Sequence, residues 1–472
     1  MLLDIENEGN SLIISYYNSE GKVSFKTIPL KNISNWMICR ESDKSKDKKF
    51  TNWDGRAVKK YTSKFLNKHS ITELFERLSK EDQDEIFGTH YPDIYFIDIE
   101  VEIVDGFPEA DSAKEKITTI TFTTPKNQVI VFSHLNLPAK SIANVQSSID
   151  KYFEQTGKKF TFIYKKFDTE YDMLYTFLSE IVQKKIPMMS GWNVIGYDWK
   201  YIINRARRLG IDPSIASPSG KLNNQNNDIP LHVGIMDYMD LYKAWDRSVD
   251  VKENFKLNTV AEVVVGLKKI SYDGSLKDLL EKDFEKYVFY TAVDTLLVML
   301  IHEKLKTMEI VLTLANLCKI SIYKADSPVS ITESLLAREF LKDNKILASD
   351  FNIRKENKDE QYEGAYVKKP ITGRHKAVAC FDFASLYPSI MRQMNVSPDS
   401  FIMKVDPDVR NEYKQDDRIV AVNGCVYSTK DSILKGILNR LYSQRKEYKK
   451  EMFKYEMEAD EIKHILEKRK SA

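Results

Sequence analysis

The chain has 472 residues, of which 42% are hydrophobic and 30% charged, and its formal net charge is +2. This composition predicts a globular chain of two to four domains and excludes a strongly basic or acidic protein, although it allows a local basic face. Four widely separated cysteines exclude a C-x-x-C zinc site. No apolar run reaches the roughly 20 residues of a membrane span, and no cationic signal segment opens the chain. We therefore expect a cytoplasmic, non-secreted protein without a transmembrane segment.

Strands dominate the first third of the chain. They are predicted over residues 11–17, 23–25, 94–101, 118–124 and 129–132. The first two flank a polar turn, which indicates a β-hairpin. The run 94–101 is continuously apolar and β-branched, so we expect it at the centre of a sheet.

Helices are predicted over residues 70–77, 169–183, 198–209, 283–306, 331–343 and 432–470. Ser70 is the expected N-cap of the first, and Ser330 or Thr332 that of the fifth. The polar stretches 213–227 and 353–364 predict a loop and a linker. After Pro370 we expect a strand-rich unit, and the highly charged last helix is predicted to be long and exposed.

Two acids, Asp98 and Glu100, lie in the predicted strand 94–101. Because side chains alternate with period two, both carboxylates share one face. Two like charges on a buried strand are costly to desolvate, and a hard divalent cation such as Mg²⁺ or Mn²⁺ would neutralise them. A strand edge whose acids meet Lys or Arg partners is the alternative.

Two further acids are candidates for the same site. Asp198 follows Gly191-Trp-Asn-Val-Ile-Gly-Tyr at a strand-to-helix corner, where it either caps the helix or joins a site at the strand ends. Tyr290 and Asp294 share one helical face at spacing i, i+4, which also suits a simple surface hydrogen bond.

In this order the four acids and the tyrosine resemble the catalytic set of the DEDDy 3′–5′ exonucleases. The resemblance implies two Mg²⁺ or Mn²⁺ ions held by Asp98, Glu100, Asp198 and Asp294. In such a site one ion activates a water and the other stabilises the leaving 3′ oxygen. Tyr290 would orient the attacking water.

A second motif lies at residues 380–390, Cys-Phe-Asp-Phe-Ala-Ser-Leu-Tyr-Pro-Ser-Ile, whose apolar character predicts a buried Asp382. It matches every defined position of motif A of the family B DNA polymerases, D-x-x-S-L-Y-P-S-I, and the match continues through 392–398. Further matching segments follow the same order, at 237–243, 271–274 and 362–370. The chain resembles this family, in particular its members from large tailed bacteriophages, over nearly its whole length.

The resemblance implies roles for the motif A residues. Asp382 would bind two metal ions, and the backbone carbonyl of Phe383 would join one of them. Ser385, Leu386 and Tyr387 would meet the incoming triphosphate with backbone amides, which suits a charged leaving group. The ring of Tyr387 would lie under the sugar and exclude a 2′-hydroxyl.

Two elements of the family pattern do not occur in residues 399–472. These are the Y-G-D-T-D-S hairpin with the second palm acid and the fingers helix K-x-x-x-N-S-x-Y-G. We therefore expect either half of a split polymerase or a truncated sequence. In the first case a second polypeptide would carry the remaining fingers, palm motif C and the thumb, would provide any clamp contact, and would meet the helix at 440–470. The region 217–231 is short and polar, so the strand-parting role of the long phage hairpin is not predicted for it.

The implied fold is multidomain, α/β and α+β. The expected parts are an N-terminal domain at 1–92 completed by about 307–352, an RNase H-like exonuclease domain at 93–306, the first part of the palm at 353–439 and the start of the fingers at 440–472.

The implied function is that of a DNA-directed DNA polymerase with a 3′–5′ proofreading exonuclease. Its partners would be primer–template DNA, single-stranded DNA and dNTPs in the cytoplasm of an infected bacterium. Two alternatives stay open. One is an exonuclease that acts alone, and the other is a non-catalytic module that stacks single-stranded bases on its aromatic residues, which make up 11% of the chain.

Overall fold

The structure is a computed structural model. It describes residues 1–33, 35–39, 45–61, 66, 68–104, 106–224, 226–245, 254–325, 327–348, 366–383 and 385–471. The chain divides into two compact units, one formed by Met1–Ile33 and Leu74–Ser334 and the other by Ser34–Glu73 and Leu335–Ala472. None of the helices in the described ranges combines the length and apolar character that a membrane crossing requires.

The described strands are β1 (Leu2–Glu8), β2 (Ser11–Tyr17), β3 (Val23–Pro29), β4 (Asn35–Ile38), β5 (Thr51–Asn52), β6 (Val58–Tyr61), β7 (Ile94–Val101), β8 (Ile117–Thr124), β9 (Gln128–Ser133), β10 (Thr161–Lys166), β11 (Met188–Gly191), β12 (Leu222–Asn223), β13 (Ile229–Pro230), β14 (Gly234–Asp237), β15 (Lys345–Ile346), β16 (Phe401–Lys404), β17 (Arg418–Val420) and β18 (Cys425–Ser428). The described helices are α1 (Lys68–Arg77), α2 (Lys80–Ile86), α3 (Ala139–Tyr152), α4 (Glu170–Gln183), α5 (Asp198–Arg208), α6 (Tyr238–Trp245), α7 (Leu257–Val265), α8 (Leu276–Lys282), α9 (Phe284–Leu305), α10 (Thr307–Cys318), α11 (Pro328–Lys342), α12 (Leu386–Gln393) and α13 (Ile433–Ser471).

The first unit is built on a six-stranded sheet with the order β10-β9-β8-β7-β11-β14. β7 pairs antiparallel with β8 and parallel with β11, and β11 pairs parallel with β14. The predicted central position of 94–101 is confirmed. The α/β layer predicted for this part of the chain is confirmed as well.

Apolar side chains cover both faces of this sheet. Phe96 of β7 belongs to the core that contains α3, α7 and α9, whereas Ile97 and Ile99 belong to the core that contains α4 and α5. This division follows from the period-two alternation of a strand. Asp98 and Glu100 therefore lie on the same face as Phe96, under α9.

Two smaller sheets complete the first unit. β1, β2 and β3 form an antiparallel sheet, which confirms the predicted hairpin. β12 and β13 pair through Leu222 with Pro230 and Asn223 with Ile229. The predicted loop 213–227 therefore contains part of a short hairpin, together with a single 3-10 turn at Pro213–Ala216.

The second unit has a small core and little sheet. Trp36, Phe50, Val58 and Ile346 form that core, and β16, β18 and β17 make a three-stranded antiparallel sheet. The predicted long, exposed helix is confirmed as α13. The expected strand-rich unit begins only at Phe401, because residues 370–383 adopt no described strand.

Several local predictions were wrong. Ser70, Ser330 and Thr332 lie inside their helices instead of capping them. The hydroxyl of Ser70 donates to Asn35 Oδ1 at 2.7 Å. α11 starts earlier because Pro328 suits the first helical position, where Ser327 Oγ accepts from the backbone N–H of Ser330 at 3.3 Å. The predicted linker 353–364 lies outside the described residues, and the predicted domain boundaries stay a prediction.

Candidate active site

Three carboxylates from two elements converge at the centre of the six-stranded sheet. Asp98 and Glu100 project from one face of β7, and Asp294 projects from α9, which packs on that face. Carboxylate oxygens of the three residues lie within 4.8 Å of one another. Among the described residues, this is the only group of three or more His, Cys, Asp or Glu side chains with that spacing.

Asp198, which lies where the loop after β11 enters α5, also contacts β7. β11 pairs with β7 only at residues 94–96, so the backbone N–H of Ile99 lies beyond the paired region. The Oδ1 atom of Asp198 accepts a hydrogen bond from that N–H at 3.0 Å. Asp198 is the first residue of α5 and its carboxylate serves β7, so the alternative of a simple N-cap is wrong.

Gly191 allows this close approach. A Cβ atom at Gly191 would lie 2.5 Å from the carbonyl oxygen of Ile97, a distance that real Cβ atoms do not show. Only glycine therefore lets the end of β11 pass so near β7. The sequence Gly191-Trp-Asn-Val-Ile-Gly-Tyr then turns into α5.

Tyr290 and Asp294 lie one helical turn apart on α9, as predicted. Both are buried, with exposed fractions of 8% and 3%. Burial, and after it the charge of the Asp294 carboxylate, raises the pKa of the Tyr290 phenol. The alternative of a surface Tyr–Asp pair is wrong because the pair faces the sheet.

The electrostatics of the site are those of crowded acids. Burial, with a smaller contribution from the Asp294 charge, raises the pKa of Asp98 to about 7. Burial also raises the pKa of Glu100, Asp198 and Asp294, and for Glu100 and Asp198 the charge of Asp98 is the next cause. The acids thus resist simultaneous ionisation in the absence of a cation.

Lys269 is a site residue that sequence reasoning missed. Its ammonium forms an ion pair with Asp294 Oδ2 and lies 5.0 Å from the centre of the Tyr290 ring. The alternative prediction, that basic residues pair with these acids, is thus partly correct. One lysine lies beside several carboxylates and pairs with Asp294. The only available signal was its position two residues before the matched segment 271–274.

The residues present fit a divalent cation. The Oδ1 atom of Asp294 is buried and has no hydrogen-bond partner in the described part of the chain. It lies in a set of hard oxygen donors whose charge one lysine does not balance. Hard cations prefer such ligands.

The motif A residues lie in the second unit, and their surroundings differ from the prediction. Asp382 is exposed, because no described strand pairs with residues 378–383 to cover it, so the predicted burial was wrong. Tyr387 at the start of α12 is 74% exposed. Ser385 has a left-handed backbone, φ 54°, and its hydroxyl accepts from Arg445 at 3.1 Å. Phe383 and Leu386 are exposed as well.

Comparison with known families covers both sets of residues except Tyr290 and Asp294, which lie between the two matches. Residues 34–260 match the family described as DNA polymerase family B, exonuclease domain, and residues 320–472 match DNA polymerase family B. The chain belongs to the family B DNA polymerases. The first match contains Asp98, Glu100 and Asp198, and the second contains Asp382.

Individual family B relatives are moderately similar. The DNA-directed DNA polymerase of Escherichia phage RB69 is 30% identical over 396 residues, which cover 78% of this chain and 43% of that protein. That of Enterobacteria phage T4 is 25% identical, covering 99% of this chain and 55% of that protein. The DNA polymerase catalytic subunit of Alcelaphine herpesvirus 1 is 28% identical, covering 80% and 37%. The chain thus spans about half the length of these relatives.

Proposed function

We propose that the acid cluster of the first unit hydrolyses single-stranded DNA from its 3′ end. The observation that carries this proposal is the convergence of Asp98, Glu100 and Asp294 within 4.8 Å, with Asp198 hydrogen-bonded to the backbone between the first two. Four carboxylates in a pocket are costly unless cations neutralise them. Two Mg²⁺ or Mn²⁺ ions are the proposed cofactors.

The roles of the residues follow from their positions. Asp98, Glu100, Asp198 and Asp294 would hold the ions. Bound divalent ions supply activation of water and neutralisation of the developing charge on the leaving oxygen. Tyr290 keeps its proton, because burial and the neighbouring carboxylates raise the pKa of its phenol. Tyr290 therefore acts as a hydrogen-bond donor that orients the attacking water, and it does not act as a base.

The exonuclease proposal is tested with a 5′-labelled single strand and Mg²⁺, read on a denaturing gel. We expect a ladder of products shortened from the 3′ end. The double variant Asp98→Ala, Glu100→Ala should give no such ladder. Asp111→Ala is the matched control, since Asp111 is exposed and its carboxylate forms an ion pair with the half-buried Lys200 at 2.6 Å. Degradation that persists in the double variant would overturn the proposal, and salt-sensitive DNA binding without turnover in any metal would favour the non-catalytic module.

We infer further that Asp382 and residues 383–387 form part of a nucleotide-transfer site for primer–template DNA and dNTPs. The match of residues 320–472 to the polymerase family supports this. Asp382 alone cannot hold two metal ions, so transfer needs a second palm acid, carried either by more of this chain or by a second polypeptide. Clamp contact and location in a bacterial host's cytoplasm stay predictions.

An exposed apolar surface on α13 supports binding of such a second polypeptide, which we call the complement. On α13, apolar side chains recur with spacings of three, four and seven residues and are 38–68% exposed: Leu441, Tyr448, Met452, Tyr455, Ile462 and Leu466. We call this set the α13 stripe. A stripe of this period fits another helix.

The test mixes the chain with a polypeptide that carries the second palm acid and the fingers lysine. We expect the mixture to extend a labelled primer with dNTPs, and Asp382→Ala to abolish extension while single-strand degradation continues. A mixture that binds primer–template but incorporates nothing would exclude the split arrangement.

A further inference from the structure

A buried carboxylate outside the acid cluster holds the loop that delivers Asp198. Asp237, at the end of β14, lies opposite Gly191 in the parallel pairing with β11 and is 7% exposed. Its Oδ1 accepts from the backbone N–H of Asn193 at 3.1 Å, and its Oδ2 accepts from that of Ile195 at 3.0 Å. One side chain thus holds two backbone N–H groups of the loop between β11 and α5.

The backbone of this loop is unusual enough to need such support. Asn193 adopts a left-handed conformation, φ 63°, which residues with a side chain adopt less readily than glycine. A Cβ atom at position 196 would lie 2.5 Å from Asn193 Oδ1, so any other residue there would require the Asn193 side chain to move. The strand ladder does not extend over these residues, and Asp237 supplies the acceptors.

Helix capping does not explain a carboxylate at this position. Asp237 Oδ1 also accepts from the backbone N–H of Met239 at 3.0 Å, which caps the first turn of α6. Asparagine caps helices about as well as aspartate. The feature that asparagine cannot reproduce is two accepting oxygens at once, because its amide nitrogen is a donor.

We propose that Asp237 is a positioning residue for the acid cluster. By accepting from both Asn193 and Ile195, it sets the start of α5 and holds Asp198 against the backbone N–H of Ile99. Asp198 is then in place as a metal ligand beside Asp98. This inference rests on the proposed function of the cluster as a metal-dependent exonuclease site.

The test is Asp237→Asn, which keeps one acceptor for the loop or the cap and turns the other atom into a donor facing an N–H. We expect Mn²⁺, titrated by electron paramagnetic resonance, to bind about tenfold more weakly or worse, the range found for residues that orient metal ligands. Hydrogen exchange should be faster in residues 192–198. Asp240→Asn is the matched control, because Asp240 is exposed and three residues further along α6. It should leave both readings unchanged.

A double-variant cycle separates positioning from a general structural role. If Asp237 acts through Asp198, then Asp237→Asn should weaken Mn²⁺ binding in the wild-type background but not in an Asp198→Asn background. Equal weakening in both backgrounds would overturn the proposal. Should Asp237→Asn fail to fold, Asp237→Glu, which keeps both oxygens but moves them, completes the same cycle.

The two proposals can fail separately. If the wild-type chain binds Mn²⁺ and degrades single strands while Asp237→Asn does both equally well, the positioning role alone is overturned. If wild type binds Mn²⁺ and the cycle shows coupling but no strand is degraded, the positioning role stands and the exonuclease proposal fails. If wild type binds no Mn²⁺, both are overturned.

Discussion

Asp198 accepts a hydrogen bond of 3.0 Å from the backbone N–H of Ile99, the residue between Asp98 and Glu100. This bond ties the start of α5 to the strand that carries two of the other acids. Asp198 therefore contributes both a hydrogen bond and a negative charge. An asparagine can accept the same bond but carries no charge, so the substitution separates the two contributions.

Asp198→Asn should therefore stabilise the metal-free protein while removing its activity. The amide oxygen keeps the bond to Ile99, and the loss of charge relieves the repulsion from Asp98. We expect a melting temperature higher by about 2 °C or more without metal, and single-strand degradation slower by at least about 100-fold.

Asp198→Ala is the control for this prediction. It loses the charge and also leaves the buried N–H of Ile99 without its acceptor, which typically costs about 1–3 kcal/mol. Its melting temperature should lie below that of Asp198→Asn. Equal melting temperatures for the two variants would show that the bond contributes nothing to stability.

Lys269 should matter most when no metal ion is bound. Its ammonium is the charged partner of Asp294 and offsets part of the repulsion in the cluster. Lys269→Met should lower the stability of the metal-free protein by up to roughly 3 kcal/mol, since removing the half-buried lysine leaves the charge of the buried Asp294 uncompensated. Mg²⁺ should restore most of the loss.

The measurement is thermal melting of wild type and Lys269→Met, each with EDTA and with Mg²⁺. Lys268→Met is the matched control, because the neighbouring Lys268 is exposed and pairs with the exposed Glu262 at 2.8 Å. If Mg²⁺ raised the melting temperature of both variants and wild type by the same amount, the offsetting role of Lys269 would be excluded.

The stability of the metal-free protein should also depend on pH through Asp98. Its pKa is raised from an ordinary value near 4 to about 7 in the folded chain, by burial and by Asp294. The folded state therefore binds a proton that the unfolded state releases, and the stabilising contribution is full below about pH 4 and lost as the pH rises to about 7.

Thermal melting in EDTA between pH 5 and about 8 tests this for wild type and Asp98→Asn. We expect the wild type to lose stability relative to the variant as the pH rises. Saturating Mg²⁺ should remove the difference in slope, because the bound ion favours the ionised acid. Parallel pH profiles in EDTA would contradict the prediction.

The acids of the first unit could be predicted because each lies in a strongly patterned element. The alternation of 94–101 fixes the common face of Asp98 and Glu100, and helical spacing does the same for Tyr290 and Asp294. Lys269 could not be predicted, since it lies in a connection without periodicity and meets Asp294 only through tertiary packing. The role of Asp237 depends likewise on a strand pairing that the sequence does not reveal.

Asp382 shows the opposite limit. The apolar residues around it predicted a buried strand, but burial depends on a neighbouring strand, and none of the described strands pairs with 378–383. The local sequence therefore predicted the motif correctly, but it predicted the burial of Asp382 wrongly. The same reasoning applies to α13, in which Ile437 is buried whereas Leu441 and the apolar residues from Tyr448 onward are exposed.

The α13 stripe yields the last prediction. Met452 and Ile462 are 47% and 57% exposed, so replacing both with glutamate should leave the melting temperature of the chain unchanged. The same double variant should weaken binding of the complementary polypeptide by at least tenfold, because two charges would be buried against apolar side chains. Primer extension by the mixture should fall in parallel.

The matched control is Met457→Glu with His464→Glu, which adds the same two side chains to the opposite face of the helix. Both positions are exposed, and neither belongs to the α13 stripe. This variant should bind the complementary polypeptide as wild type does, measured by isothermal titration. If both double variants bound equally well, the complement would have to dock elsewhere, and the exposed apolar period of α13 would need another explanation. If only the stripe variant is impaired, the α13 stripe is identified as the helix face that packs against the complement.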